Sequence, residues 1–456
     1  MQNAAPVGPR TVGDILTIGF ATTVAMWGFG YFAHLPKQPL PSWTVFCVLA
    51  VCMFLGGGAA GRFAARGWKG GLYCGLLTGL LNLLVLGSVL GRDETGRLSA
   101  TALFWVPGSI VLAMLCGTTG ALLAGILPRP LGTRRPNWPA AFTIVAAVAT
   151  VLLLAVGGMV TGYEAGLAVA DWPNTEGYNM FLYPLAKMTG GIYFEHSHRL
   201  VGSLVGLTTL VLAVYIWRTQ SRRWLAWLAV IALLMVILQG LMGGLRVTGR
   251  FTLSTAQEDM APSRQLAIIH GVFGQVFFAT LVAIATFLSA TWIGGRPPTV
   301  RTSTTVDRRL GIISAAALLI QLITGATVRH IAGGVILHVA LAVIVLILVA
   351  TFTVRAWGLY DKEPILPRFG ALLLAVIVVQ LVLGLAALVV LMLQAQGQSS
   401  DSVQVPLTTL HQTVGALLLA GTTSLLLWHY RLLTPTAHVQ SVTAATPPRT
   451  SETPPQ

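Results

Sequence analysis

The chain has 456 residues, of which 55% are hydrophobic and only 9% charged, and its mean hydropathy is +0.77. Soluble domains carry about a quarter of their residues charged and disordered chains are more polar still, so the composition excludes both. At about 20 apolar residues per crossing it fits an all-α polytopic membrane protein of about 12 transmembrane helices. Its net charge of +14 is the surplus that membrane proteins hold in cytoplasmic loops. No basic stripe alternates with aromatics, so lipid is expected as a partner and nucleic acid is not.

Apolar segments fall at about 12–33, 43–63, 70–91, 102–127, 141–162, 192–217, 224–246, 265–290, 309–328, 334–354, 369–393 and 407–430. The first lacks the cleavage pattern of a signal peptide and reads as a retained span. Cys47, Cys52, Cys74 and Cys116 lie inside apolar runs, which suggests neither a disulfide framework nor a zinc site. Of the 28 Lys and Arg residues, 19 fall in alternate loops on one side, Arg10, Arg62, Arg134, Arg222, Arg308 and Arg449 among them. That side is expected to be cytoplasmic, with both termini inside, in a bacterial-type inner (plasma) membrane.

A Pro/Arg-rich linker at 127–139 divides the chain. Residues 1–130 read as a four-helix extension, and 140–295 and 305–432 as two four-helix bundles forming an eight-helix core. Residues 434–456, rich in Pro and Thr, read as a disordered tail. The core repeats internally. His198 and His270 are 72 residues apart, His338 and His411 are 73 apart, and the two pairs are offset by 140 and 141. Gly157–Thr161 and Gln239–Gly243 are answered by Thr324–Val328 and Gln380–Gly384. With four helices in each half, the halves share orientation and are related about an axis along the membrane normal.

The four histidines open alternate helices and so share one layer, expected in the outer leaflet. An intramembrane ionisable residue faces a partner or a cavity, and two histidines per half, far apart in sequence, suit axial ligation of a heme iron. Two structural histidine pairs would give the same pattern. Glu195 and His198, spaced i, i+3, share a helix face, which places the carboxylate as an acid, base or guiding group; a solvated interfacial residue is the plain alternative. Its counterpart in the second half is Val335, so only the first half carries a reactive group. Arg199, Arg246 and Arg329 are candidate contacts for heme propionates, or snorkelling interfacial residues. His196 points off this face, and His34, His330, His429 and His438 read as solvated. The loop 162–190, with Asp171-Trp172-Pro173 and several aromatics, reads as a lid or as part of an aromatic belt.

Taken together, Glu-x-x-His-Arg at Glu195–Arg199, Gly-Leu leading to Asp-Trp-Pro at Gly166–Pro173, Gln239–Arg246 and the four histidines resemble the heme A synthase family over about residues 140–432. That family oxidises the C8 methyl of heme O to a formyl group by successive hydroxylations, in support of terminal oxidase assembly. The resemblance implies an oxidoreductase acting on a methyl group, with Glu195 as the catalytic carboxylate. It also implies that His198 and His270 ligate substrate heme O, and that His338 and His411 hold a heme b cofactor. A heme O synthase or a second copy of the chain is an implied partner, and the electron donor is not identified. Many bacterial members carry a loop cysteine pair where this chain has Val169 and Thr175, so dependence on a loop disulfide is not expected. The extension has no Asp-rich prenyl-diphosphate motif, which argues against a fused heme O synthase. The alternative reading is a bis-histidine b-type cytochrome that carries electrons without modifying its heme; it has no need of Glu195. A transporter with twofold repeats would place ionisable groups at mid-membrane instead.

Overall fold

A computed structural model of the chain describes residues 12–36, 39–86, 102–127, 136–295, 297–398 and 400–435. Most of the linker, nearly all of the C-terminal tail, His438, Arg10, Arg134 and Arg449 lie outside the described residues. The helices are α1 (Gly13–Ala33), α2 (Ser42–Phe63), α3 (Trp68–Leu86), α4 (Ala102–Ile126), α5 (Trp138–Gly162), α6 (Gly190–Thr219) and α7 (Arg223–Thr248). They continue with α8 (Arg264–Leu288), the short α9 (Ala290–Ile293), α10 (Thr304–Ile331), α11 (Val335–Leu359), α12 (Ile365–Ala395) and α13 (Asp401–Leu432). All except α9 are long and apolar enough to cross a membrane, 12 spans among the described residues. The protein is a multi-pass, all-α membrane protein.

The ends of several helices reach past the apolar windows. Helix α13 has 32 residues, about 48 Å at 1.5 Å per residue, against a hydrocarbon core of about 30 Å. Its first turn, starting at Asp401 and Ser402, is polar helix that hydropathy does not register.

The chain divides into two compact units. One comprises Met1–Ser289 with Val382–Ala416, the other Ala290–Leu381 with Leu417–Gln456. In the first, α5, α6, α7 and α8 pack around a ring, each on the next and α8 back on α5. Side chains at the turns fix the ring. Asn137 caps α5 and its amide donates to Leu288 O of α8 at 2.6 Å. Gly249 ends α7 in the left-handed region at φ 69°, where a side chain would be strained. Ser263 then caps α8 and donates its own N–H to Arg246 O at 2.9 Å. Thr143, Thr150, Thr208 and Thr209 return their hydroxyls to the carbonyl four residues back, which satisfies them inside apolar helices.

The extension belongs to this unit and packs tightly. A Cβ on Gly57 of α2 would come 2.1 Å from Gly117 O of α4, and one on Gly61 2.5 Å from Ala121 O, so the backbones touch as small residues allow in membranes. Helix α1 seals the extension to the ring: Phe20 meets Phe142 at 5.3 Å, Tyr31 stacks on Tyr193 at 5.6 Å, and Tyr193 donates to Tyr31 O at 2.5 Å.

In the second unit α10 packs on α11. Asp307, fully buried, accepts from Arg355 Nε at 2.5 Å and from Tyr360 Oη. His429, expected to be solvated, is instead wholly buried, with its ring 4.9 Å from Phe352 and 5.6 Å from Tyr360. Its helix-end position in sequence is overridden by packing against these aromatics. A short parallel pair, β1 (Thr299–Arg301) with β2 (Leu433–Pro435), aligns Thr299 with Leu433 and Arg301 with Pro435. Thr434 and Pro435, at the head of the expected tail, are thus paired.

Candidate functional site

Glu195, His196, His198 and Arg199 lie in the first turns of α6, and the loop 163–189 closes over them. Asp171 organises that loop. It is fully buried, and its two carboxylate oxygens accept the backbone N–H groups of Glu176 and Gly177, each at 2.8 Å. Gly177 there has φ 79°, so the turn needs a residue without Cβ. Tyr183 is buried beside it and donates to Glu176 Oε2 at 2.6 Å. Burial first, then that hydrogen bond, pushes the Tyr183 phenol above the usual tyrosine range.

The loop is tied down by the residues it covers. Val169 N donates to Glu195 Oε2 at 3.0 Å, while Glu195 Oε1 pairs with Arg199 Nη2 at 2.7 Å. Arg199 Nη1 donates to Asp171 O at 2.8 Å and to Asn174 O at 2.6 Å. Glu195 is 5% exposed, so its charge is held by a buried cation and an amide rather than by water. This is the arrangement that a buried ion pair needs to repay its desolvation. His196, expected to point off the reactive face, does so and finds a task there: its Nδ1 is 3.0 Å from Thr175 Oγ1 and its ring packs on Tyr183 at 4.9 Å. Arg246 of α7 lies under the same loop, where a Cβ on Gly166 would meet its Nη2 at 2.0 Å. Trp172 rests on Gly244 of α7 and on Phe251, 5.1 Å between centroids.

Inside the ring, His198 and His270 face each other with centroids 6.4 Å apart and planes crossing at 77°. A metal–imidazole bond of about 2.0–2.1 Å, with about 1.1 Å more from nitrogen to centroid, gives about 6 Å for two rings on opposite sides of one ion. The observed spacing fits a heme iron with two axial imidazoles. Among the described residues no group of three or more His, Cys, Asp or Glu could hold a metal ion.

A glycine on the preceding helix sits against every one of the four rings. A Cβ at Gly157 would come 2.9 Å from His198 Cε1, and at Gly243 3.5 Å from His270 Cε1. At Gly325 the distance to His338 Cε1 is 3.0 Å, and at Gly384 to His411 Cε1 it is 2.9 Å. In two of these pairs a glutamine one turn before the glycine also reaches the histidine backbone: Gln239 Nε2 donates to His270 O at 3.0 Å and Gln321 Nε2 to His338 O at 2.9 Å. The repeats of sequence singled out above contain these glycines and Gln239, but their apposition to the histidines could be read only once the helices were paired. Arg329 lies in the last turn of α10, half-buried.

Residues 140–341 match the family model for cytochrome oxidase assembly proteins. The matched stretch contains Glu195, His198, His270 and His338; His411 lies beyond it. The chain is 34% identical over 108 residues to the heme A synthase of Lysinibacillus sphaericus, covering 23% of this chain and 34% of that one. It is 29% identical over 148 residues to the heme A synthase of Halalkalibacterium halodurans, covering 32% and 44% of the two chains. With that of Shouchella clausii it shares 29% over 144 residues, 31% and 42% of the two. The chain therefore spans less than half the length of these relatives. Over the matched stretch the resemblance to the heme A synthase family stands; residues 1–139 lie outside it.

Proposed function

We infer that the protein is an oxidoreductase that oxidises the C8 methyl of heme O to a formyl group, as a heme A synthase. The observation that carries this reading is the pairing of His198 and His270 at 6.4 Å with a buried carboxylate, Glu195, one turn before His198. An electron-carrying cytochrome would account for the imidazole pair but leave Glu195 without a task. Reading the repeat the same way, His338 and His411 are the ligands of a heme b that serves electron transfer.

His198 and His270 would hold heme O as the substrate, and its own iron would supply the redox chemistry applied to the methyl group. The residues of the chain set where this happens. Glu195, on the face of α6 that carries His198, holds or accepts a proton beside the methyl group as it is converted. Arg199 pairs with that carboxylate and aims it, and the 163–189 loop excludes bulk water. Arg246 and Arg329, each half-buried near a helix end, provide charges for propionates, and Arg199 does so to the extent that its bonds to the loop are exchanged. The site would lie toward the outer face of the plasma membrane, with both termini in the cytoplasm, and heme O would arrive from a heme O synthase.

The test is expression in a host that makes heme O but no heme A, followed by extraction and mass identification of membrane hemes. Heme A or its hydroxylated precursor is expected. Heme B alone, in folded protein with heme O present, would transfer the reading to the cytochrome.

A further inference from the structure

His338 differs from His198 in what its ring meets. The Nδ1 of His198 is buried without a hydrogen-bond partner. The Nδ1 of His338 lies 3.0 Å from Thr324 Oγ1, which is also 3.0 Å from Gln321 O, a carbonyl to which its hydroxyl can donate. With its hydrogen on that carbonyl the hydroxyl accepts from the ring, and this is the arrangement that a ligating Nε2 requires, the hydrogen between the two then belonging to His338 Nδ1. Gln321 Nε2 lies 3.2 and 3.4 Å from the two ring nitrogens. In-plane lone pairs diverge, so a donor nearly equidistant from both nitrogens is aligned with neither. Its aligned bond is the one to His338 O at 2.9 Å. Gly325, next in sequence to Thr324, leaves room for the ring to approach α10, since a Cβ there would stand 3.0 Å from Cε1. One turn of α10 thus meets the ring, its Nδ1 and the backbone of a single histidine. The corresponding residue before the glycine is Val156 on α5, Met242 on α7 and Leu383 on α12, none of which carries a hydroxyl.

We propose that Thr324 is a positioning residue that locks His338 as the Nδ1–H tautomer, leaving Nε2 to ligate heme iron and lowering the reduction potential of that heme. The proposal rests on His338 being a heme ligand. An imidazole that donates its distal N–H is a more basic ligand, and a more basic ligand favours the ferric state. The hydroxyl therefore adjusts the potential of the electron-transferring heme without touching it.

The experiment uses the full chain, purified in detergent with heme b supplied, and measures heme content, low-spin ferric resonance and redox titration. His338→Ala first identifies the heme component that belongs to His338. Thr324→Val, close in shape, should keep that component but raise its midpoint, changing the oxidised-to-reduced ratio at fixed potential by roughly tenfold, about 59 mV for a one-electron couple. Thr324→Ser should restore the wild-type value. If Thr324→Val fails to assemble, Thr324→Ala is read in its place against the same Ser rescue. A component lost in His338→Ala but titrating identically in Thr324→Val and wild type overturns this proposal and leaves the ligand reading intact. Unchanged heme content and low-spin signal in His338→Ala would overturn both.

Discussion

The helix pairs α5–α6 and α10–α11 are built alike and finished differently. Each brings a histidine near the start of its second helix against a glycine of its first, Gly157 against His198 and Gly325 against His338. Between α5 and α6 run 27 residues, organised by Asp171 and clamped onto Glu195 and Arg199. Between α10 and α11 there are three, Ala332 to Gly334, and Val335 stands where Glu195 would be. The first pair has a cover and a carboxylate; the second has a hydroxyl and an amide around its ring. A common scaffold places the ring, and the short-range surroundings give each of the two rings a different chemistry to work beside.

The most damaging way to break the comparison is at the glycines. Gly157→Leu should displace the His198 ring and abolish the spectrum of the heme bound at the first pair, with the second unaffected. Gly157→Ala should cost about 1–3 kcal/mol of stability through overpacking. Gly243→Ala should be nearly silent, because its Cβ would stand at an ordinary 3.5 Å from His270 Cε1. Equal losses at both positions in heme titrations would contradict the close-approach argument.

Next comes the carboxylate. Glu195→Ala should leave heme binding in place while lowering formation of oxidised heme by about 10²–10⁴-fold, the usual worth of a positioned proton-transfer group. Because it also strands Arg199, hydrogen exchange in the 163–189 loop should quicken. Arg199→Lys should loosen the same loop by about 1.5–3 kcal/mol, the range for hydrogen bonds to charged groups, with the helical bundle unchanged by circular dichroism. Loop exchange unaltered in both variants would remove the clamp from the account.

The smallest effect concerns the cluster in the second unit. Burial, then the hydrogen bond to Asp307, pushes the Tyr360 phenol up to about 12. The favoured form is the protonated one, so its stabilisation is complete below pH about 10, the ordinary tyrosine value, and is lost as pH rises through about 12. Spectrophotometric titration of wild type against Tyr360→Phe should show one phenol missing from the late-ionising set. Loss of an early-ionising phenol would contradict the shift.

Much of this was legible from the residues. Hydropathy marked all 12 spans because apolar length is the dominant constraint in a bilayer, and histidine spacing exposed the repeat. Glu195 and His198 could be placed together because i, i+3 neighbours share a helix face. The missing parts all depend on contacts distant in sequence. His429 lies at a helix end, yet it is buried by Phe352 and Tyr360 from another segment. His196 gains its role from Thr175, 21 residues away, and Thr324 from pairing with the next helix. Nothing local distinguishes Gly157 from the many other glycines of these helices until the imidazole opposite it is known.

The two oxygens of Glu195 are both occupied, one by Val169 N–H and the other by Arg199. Each oxygen keeps a further lone pair, so the carboxylate joins the loop backbone to the cation of α6 and still has room for another partner. Any movement that lifts Val169 from α6 therefore changes the surroundings of Glu195 in the same stroke, so the cover and the carboxylate beneath it are mechanically one part.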